Sequence, residues 1–189
     1  MAMRCFIAFE VPEDFQESLG GIQAKLRAAG ADVKWALARS IHLTVKFLGD
    51  VRDEDVPKTC DVMSAVAAAA RPMELSIRGL GTFPPGGTPR VVWAGLTGDV
   101  EPLVTLVASL ERGIADAVGI APEARPFHPH LTVGRVRSAR GADRLLKALA
   151  SAGPADVGTF TADELVLFMS ELTREGPVHT PMARAPLSR

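Results

Sequence analysis

The sequence predicts an α+β fold built from two similar halves. Three observations carry that reading. Short apolar, β-branched segments alternate with amphipathic helical ones along all 189 residues. The tetrapeptide His-Leu-Thr-Val occurs twice, at His42–Val45 and at His130–Val133, each time in a strand-like segment near a helix. No low-complexity linker separates the halves, so two lobes are expected to pack tightly rather than swing.

The elements follow in order. Arg4–Pro12 reads as a strand of aromatic and β-branched residues stopped by proline. Residues 13–30 read as a helix, with Phe15, Leu19, Ile22 and Leu26 at helical spacing and Gly30 as its stop; the Gly20-Gly21 pair weakens it. Residues 33–37 form a short strand and residues 41–49 a stronger one. Residues 53–70 read as a helix whose opening acids suit the positive end of its dipole, ending near Arg71-Pro72. Residues 73–83 alternate like a strand, 84–90 (PPGGTPR) make a hairpin tip, and 91–96 form a buried strand. Residues 100–119 are a long amphipathic helix, 125–137 a proline-bounded strand, and 141–150 a short helix. Residues 158–172 and 177–187 read as two strands joined by a turn at Arg174–Gly176.

Composition narrows the class. Apolar residues make up 47% and charged residues 23%, which suits a folded domain and excludes a disordered tail. No apolar run approaches the roughly 20 residues of a membrane span, and the N-terminus turns acidic at Glu10, too soon for a signal peptide. Cys5 and Cys60 lie in apolar contexts without metal spacing, as reduced thiols of a cytoplasmic protein do. The net charge is −1, without the basic bias of a protein that grips long nucleic acid. Any RNA partner is therefore expected to be touched at an end or over a few nucleotides. The local cluster Arg135, Arg137 and Arg140 reads equally as a solvated strand end.

Residues two apart in a strand share a face. His42 therefore shares a face with Thr44, and His130 with Thr132, while the intervening Leu and Val point to the core. Each copy offers an imidazole and a hydroxyl on a rigid element. If the halves are pseudo-symmetric, both polar fronts face one groove. An unperturbed imidazole titrates near pH ~6.5, so one neutral ring can take a proton from water while a charged one gives a proton to a leaving oxygen. Hydroxyl donors suit the charge on an anionic tetrahedral centre. Together these parts describe in-line cleavage of a phosphodiester, with no metal or other cofactor required.

The paired motif resembles that of the 2H phosphoesterases, and within them the RNA 2′,3′-cyclic phosphodiesterases, also called LigT-like or 2′-5′ RNA ligases. RCFIAFEVP is similar to the family's first strand, VKWALARSIHLTVKFLGDV to its first motif with the trailing Phe-Leu-Gly, and RPFHPHLTVGRV to its second. GLGTFPPGGTPRVVWAGL is similar to its central hairpin and ELVLFMSELTREGPVHTPM to its closing strands. The resemblance implies one domain over residues 1–189 with a bilobal, duplicated α+β fold. Two antiparallel sheets would line a central cleft, with helices outside. It implies that His130 is the proton acceptor that activates water against the cyclic phosphate, and His42 the proton donor to the departing 3′ oxygen. That reaction leaves a 2′-phosphate. Thr44 and Thr132 would hold the phosphate oxygens. The reverse reaction would be ATP-independent 2′-5′ ligation. The substrate would be an RNA end or short oligonucleotide carrying a 2′,3′-cyclic phosphate, and the protein a monomer.

Other residues stay open on sequence grounds. The family often carries tyrosine where His179 stands, and this chain has no tyrosine. Arg135 is a phosphate contact only if a twist or bulge at Gly134 turns it back to the His130 face. Phe127 is either a base-stacking or a core residue, Phe6 reads as core, and Trp35 and Trp93 as core or groove edge. Lys46 falls on the His42 face, toward phosphate or toward solvent. Two other functions are conceivable: a nucleotide- or RNA-end-binding module without chemistry, and a metal-dependent hydrolase using His128 and His130. The first has no use for two titrating groups. The second lacks an obvious third ligand.

Overall fold

The computed structural model describes residues 2–153, 155–173 and 176–188. Nine strands and four helices follow one another among these residues. They are β1 (Ala2–Glu10), α1 (Glu13–Arg27), β2 (Val33–Trp35), β3 (His42–Arg52), α2 (Val56–Ala68), β4 (Met73–Phe83), β5 (Val91–Gly98), α3 (Val100–Val118), β6 (His130–Val136), α4 (Ala142–Ser151), β7 (Gly158–Ala162), β8 (Glu164–Leu172) and β9 (Pro177–Pro186). They form two antiparallel sheets, of order β3-β1-β8-β9 and β2-β6-β5-β4-β7. Neither sheet comes from one contiguous half of the chain, since each takes strands from both ends. The two sheets meet where β3 and β6 lie against each other.

The helices form because their apolar residues recur on one stripe. In α3, Leu103, Leu106, Val107, Leu110 and Ile114 are all buried, and Gly119 ends the helix in the left-handed conformation that glycine tolerates. α1 opens on Glu13 and Asp14 and closes on Lys25 and Arg27, matching its dipole. Its Gly20 sits within the helix, where an added Cβ would lie 3.3 Å from Ala38 Cβ, so the small residue permits close approach of the following segment. Among the described residues no helix is long and apolar enough to cross a membrane.

β1 is buried on both faces. Cys5, Ile7 and Phe9 join the main core beneath the helices, together with Leu43, Val45, Leu75, Val92, Leu131 and Val133. Phe6 and Ala8 point the other way and form a second, small cluster with Val166 and Phe168. That second cluster floors the face bearing the first His-x-Thr pair.

Three boundaries differ from those predicted. Residues 158–172 are not one strand. β7 pairs with β4 in the five-stranded sheet, and β8 pairs with β1 in the four-stranded one, with the chain crossing over at Asp163. The second motif strand starts at His130 rather than before Pro126, because Pro126 and Pro129 cannot donate to a ladder. β3 runs past Gly49 to Arg52, with Gly49 at positive φ. Of the turn predicted at Arg174–Gly176, Arg174 and Glu175 lie outside the described residues.

Candidate active site

Both copies of His-Leu-Thr-Val are built in the same way. In the β1–β3 ladder Ala8 faces Thr44 and Ile7 faces Lys46, so Val45 is skipped. In the β5–β6 ladder Trp93 faces Thr132 and Val92 faces Gly134, so Val133 is skipped. The fourth residue of each copy is therefore the extra residue of a β-bulge, and beyond it the alternation of faces reverses.

The bulges decide which residues join the histidines. Strict alternation predicts Lys46 on the His42 face; the bulge turns it to the back instead, where it meets neither phosphate nor solvent. It is only 2% exposed, and its Nζ donates to Glu111 Oε2 at 2.6 Å and to the Ala121 carbonyl at 3.0 Å. Glu111 also accepts from the backbone N–H of Glu123 at 3.2 Å, so the pair ties β3 to α3 and to the segment leading toward β6. Phe47 comes forward, opposite Phe6 across the ladder. In the second copy Gly134 occupies the back position, where an added Cβ would sit 2.8 Å from Val33 and 3.0 Å from Trp35. Arg135 then comes forward, exposed. It aligns across the sheet with Val91 and Phe83, and Phe83 touches His130. The bulge that turns Arg135 back lies at Val133, one residue before the expected glycine.

Each catalytic candidate is oriented by the carbonyl two residues before it. His42 Nδ1 lies 2.8 Å from the Ser40 carbonyl oxygen, and His130 Nδ1 lies 2.6 Å from that of His128. A carbonyl only accepts, so Nδ1 carries the proton in both rings and Nε2 is left as the exchanging atom. His128 thus serves the second motif through its backbone. Thr44 and Thr132 are half-buried, and among the described residues neither hydroxyl bonds to another protein group.

The rings sit in different surroundings and make no contact with each other. His42 stacks on Phe6 at 4.7 Å, tilts against Phe168 at 6.3 Å, and meets the edge of His179 at 5.3 Å. Ala8, with its small side chain, lies between Thr44 and Val166 on this face. His130 meets Phe83 edge-on at 5.0 Å. Burial lowers the His42 pKa to about 4, with the neighbouring His179 adding to the shift and the Ser40 carbonyl opposing it. The His130 pKa is also lowered, first by burial and then by His128 and Arg135, against the pull of the His128 carbonyl. Both shifts favour the neutral ring in the free protein.

His179 belongs to this site. Its ring stands edge-on to Phe6 at 4.9 Å as well as to His42, and its Nδ1 is buried with no hydrogen-bond partner among the described residues. The one sequence signal for it is its place where the resembling family often has tyrosine. A pocket of about 330 Å3 opens beside His42, lined among others by Gln16, Arg39, Ser40, Phe168 and His179; His130 is not on it. Phe127 packs against the main core, as Trp35 does. Trp93 shares the Thr132 face and covers Gly81, where any Cβ would strike its ring. Among the described residues no three His, Cys, Asp or Glu side chains converge as a metal site requires.

Comparisons with known proteins identify the family. A family model of the 2′-5′ RNA ligase superfamily matches residues 11–173. A relative named RNA 2′,3′-cyclic phosphodiesterase from Methanothermobacter thermautotrophicus is 36% identical over 182 residues, covering 96% of this chain and 97% of its own length. One of the same name from Aeropyrum pernix is 32% identical, over 85% of this chain and 90% of its own. Among solved structures, TT0787 of Thermus thermophilus superposes with a TM-score of 0.81 at 29% identity, covering 98% of each chain. E. coli LigT complexed with 3′-AMP superposes with a TM-score of 0.83 at 24% identity over the full length of both, which speaks for the fold. With the family model spanning most of the chain and both His-x-Thr strands inside it, this protein belongs to the 2′-5′ RNA ligase superfamily of 2H phosphoesterases.

Proposed function

We propose that this protein hydrolyses RNA 2′,3′-cyclic phosphodiester ends to 2′-phosphomonoesters by two-histidine acid–base catalysis without a metal. His130 Nε2 takes a proton from water as the water oxygen bonds to phosphorus. The bond from phosphorus to the 3′ oxygen breaks, and that oxygen takes its proton from His42 Nε2. Thr44 and Thr132 donate to the non-bridging oxygens, and Arg135 balances the charge of the phosphate or of its neighbour. The observation that carries this reading is the shared construction of the two motifs: each imidazole is held through Nδ1 and presents Nε2, and each strand bulges at the same residue. Relatives named RNA 2′,3′-cyclic phosphodiesterase support the substrate class.

The lowered pKa values fit a donor that is charged by its substrate. A phosphodiester anion beside His42 offsets the cost of burying an imidazolium, so the anion brings the proton with it. With a 5′-hydroxyl in place of water, the same displacement bonds the 5′ oxygen to phosphorus as the 3′ oxygen leaves, which joins the two ends through a 2′-5′ linkage.

The test is incubation with a short oligonucleotide ending in 2′,3′-cyclic phosphate, with and without EDTA, followed by identification of the product. Formation of a 2′-phosphate at an undiminished rate in EDTA is expected. A 3′-phosphate product, loss of turnover in EDTA, or tight binding without turnover would overturn the proposal.

A further inference from the structure

The two motif strands are alike through four residues and then part. In the first copy the residue brought forward by the bulge is Phe47; in the second it is Arg135. Phe47 faces Phe6 across the ladder with ring centroids 6.3 Å apart, and Phe6 carries the His42 ring on the same face. Yet Phe47 is 54% exposed, while Phe6 beside it is 4% exposed. The aromatic floor of the site thus runs from Phe168 through Phe6 and ends in an uncovered ring. An open phenyl separated from the His42 imidazole by the one ring of Phe6 matches a planar, weakly polar group attached to a phosphorylated sugar.

From this, taking the substrate to be the RNA end proposed above, we infer that Phe47 is the platform on which a nucleobase of the RNA end stacks. The two motif strands then read different parts of the substrate. The first reads the base through an apolar face, and the second reads charge through Arg135. Stacking requires a π-face and no particular hydrogen bonds, so purines are favoured over pyrimidines by area alone.

Phe47→Leu keeps the volume apolar and removes the ring; Phe47→Trp enlarges the ring. Steady-state hydrolysis of adenosine and uridine 2′,3′-cyclic phosphates by the two variants separates stacking from packing. Phe47→Leu is expected to raise KM about ten-fold for the adenosine substrate and less for the uridine one. Phe47→Trp is expected to hold KM at or below the wild-type value. A KM that does not respond to Phe47→Leu, or a loss equal for both bases, would overturn the inference. Calorimetric binding of adenosine 2′-monophosphate to wild type and Phe47→Leu reads the platform independently of turnover. If wild type binds without hydrolysing, the catalytic reading fails while a ten-fold weaker Kd in the variant still supports Phe47; equal Kd values overturn it.

Discussion

His42 and His130 are ordinary histidines placed where being charged is costly. Burial is the largest cause of the lowered pKa in each, and for His42 it reaches about 4. Acid–base turnover needs one ring charged and one neutral. The bell in kcat/KM reports the free protein, so its maximum is expected on the acid side of pH ~6.5. The kcat profile, which reports the substrate complex, is expected at higher pH because the bound anion favours imidazolium. A kcat/KM maximum at or above pH ~7.5 would contradict the burial-driven shifts. At this scale the sequence was most informative where period-two alternation holds, as with His42, Thr44, His130 and Thr132. For His179 it offered only the family resemblance at that position, because the approach of His179 to His42 depends on the pairing of β9 with β8.

The strand pattern hid the bulge at Val45, and for the bulge at Val133 it offered only the glycine that follows. Both residues are buried and β-branched, as regular strand residues are. Their effect is large: one sends Lys46 into a buried ion pair and the other brings Arg135 forward. The Lys46–Glu111 pair is predicted to matter for stability. Lys46→Met leaves Glu111 facing an apolar side chain, and breaking a buried pair costs about 3–5 kcal/mol. The double variant Lys46→Met with Glu111→Leu should recover most of that loss in urea unfolding. A single variant as stable as wild type would show that the pair contributes nothing. Helices, by contrast, were legible, because the stripe Leu103, Leu106, Leu110 and Ile114 states its own period. The strand run 158–172 was not, since two apolar segments divided by Asp163 look alike whichever sheet receives them.

The α+β class and two-sheet layout could be anticipated, but not which strands share a sheet. β1 pairs with β8 from the far end of the chain, which puts β3 and β1 in one sheet with β8 and β9, and local periodicity holds no record of such long-range pairing. That interleaving brings both motif strands to the seam between the sheets. The half-buried histidines there also couple stability to pH. Their folded pKa values are lowered, so the unfolded chain binds more protons as pH falls below 6.5, and stability present above that pH is lost progressively toward pH 4. The fall in Tm between pH ~7 and pH ~5 should therefore be smaller in His42→Gln than in wild type, and an equal fall would remove His42 from the linkage. The central claim is that one imidazole from each sheet acts on a single phosphorus atom. It is tested most directly by kcat/KM of His42→Ala and His130→Ala on an RNA ending in 2′,3′-cyclic phosphate, alongside Tm. Each substitution is predicted to reduce kcat/KM by about 100-fold or more with the fold intact; near-normal turnover in either would contradict the account.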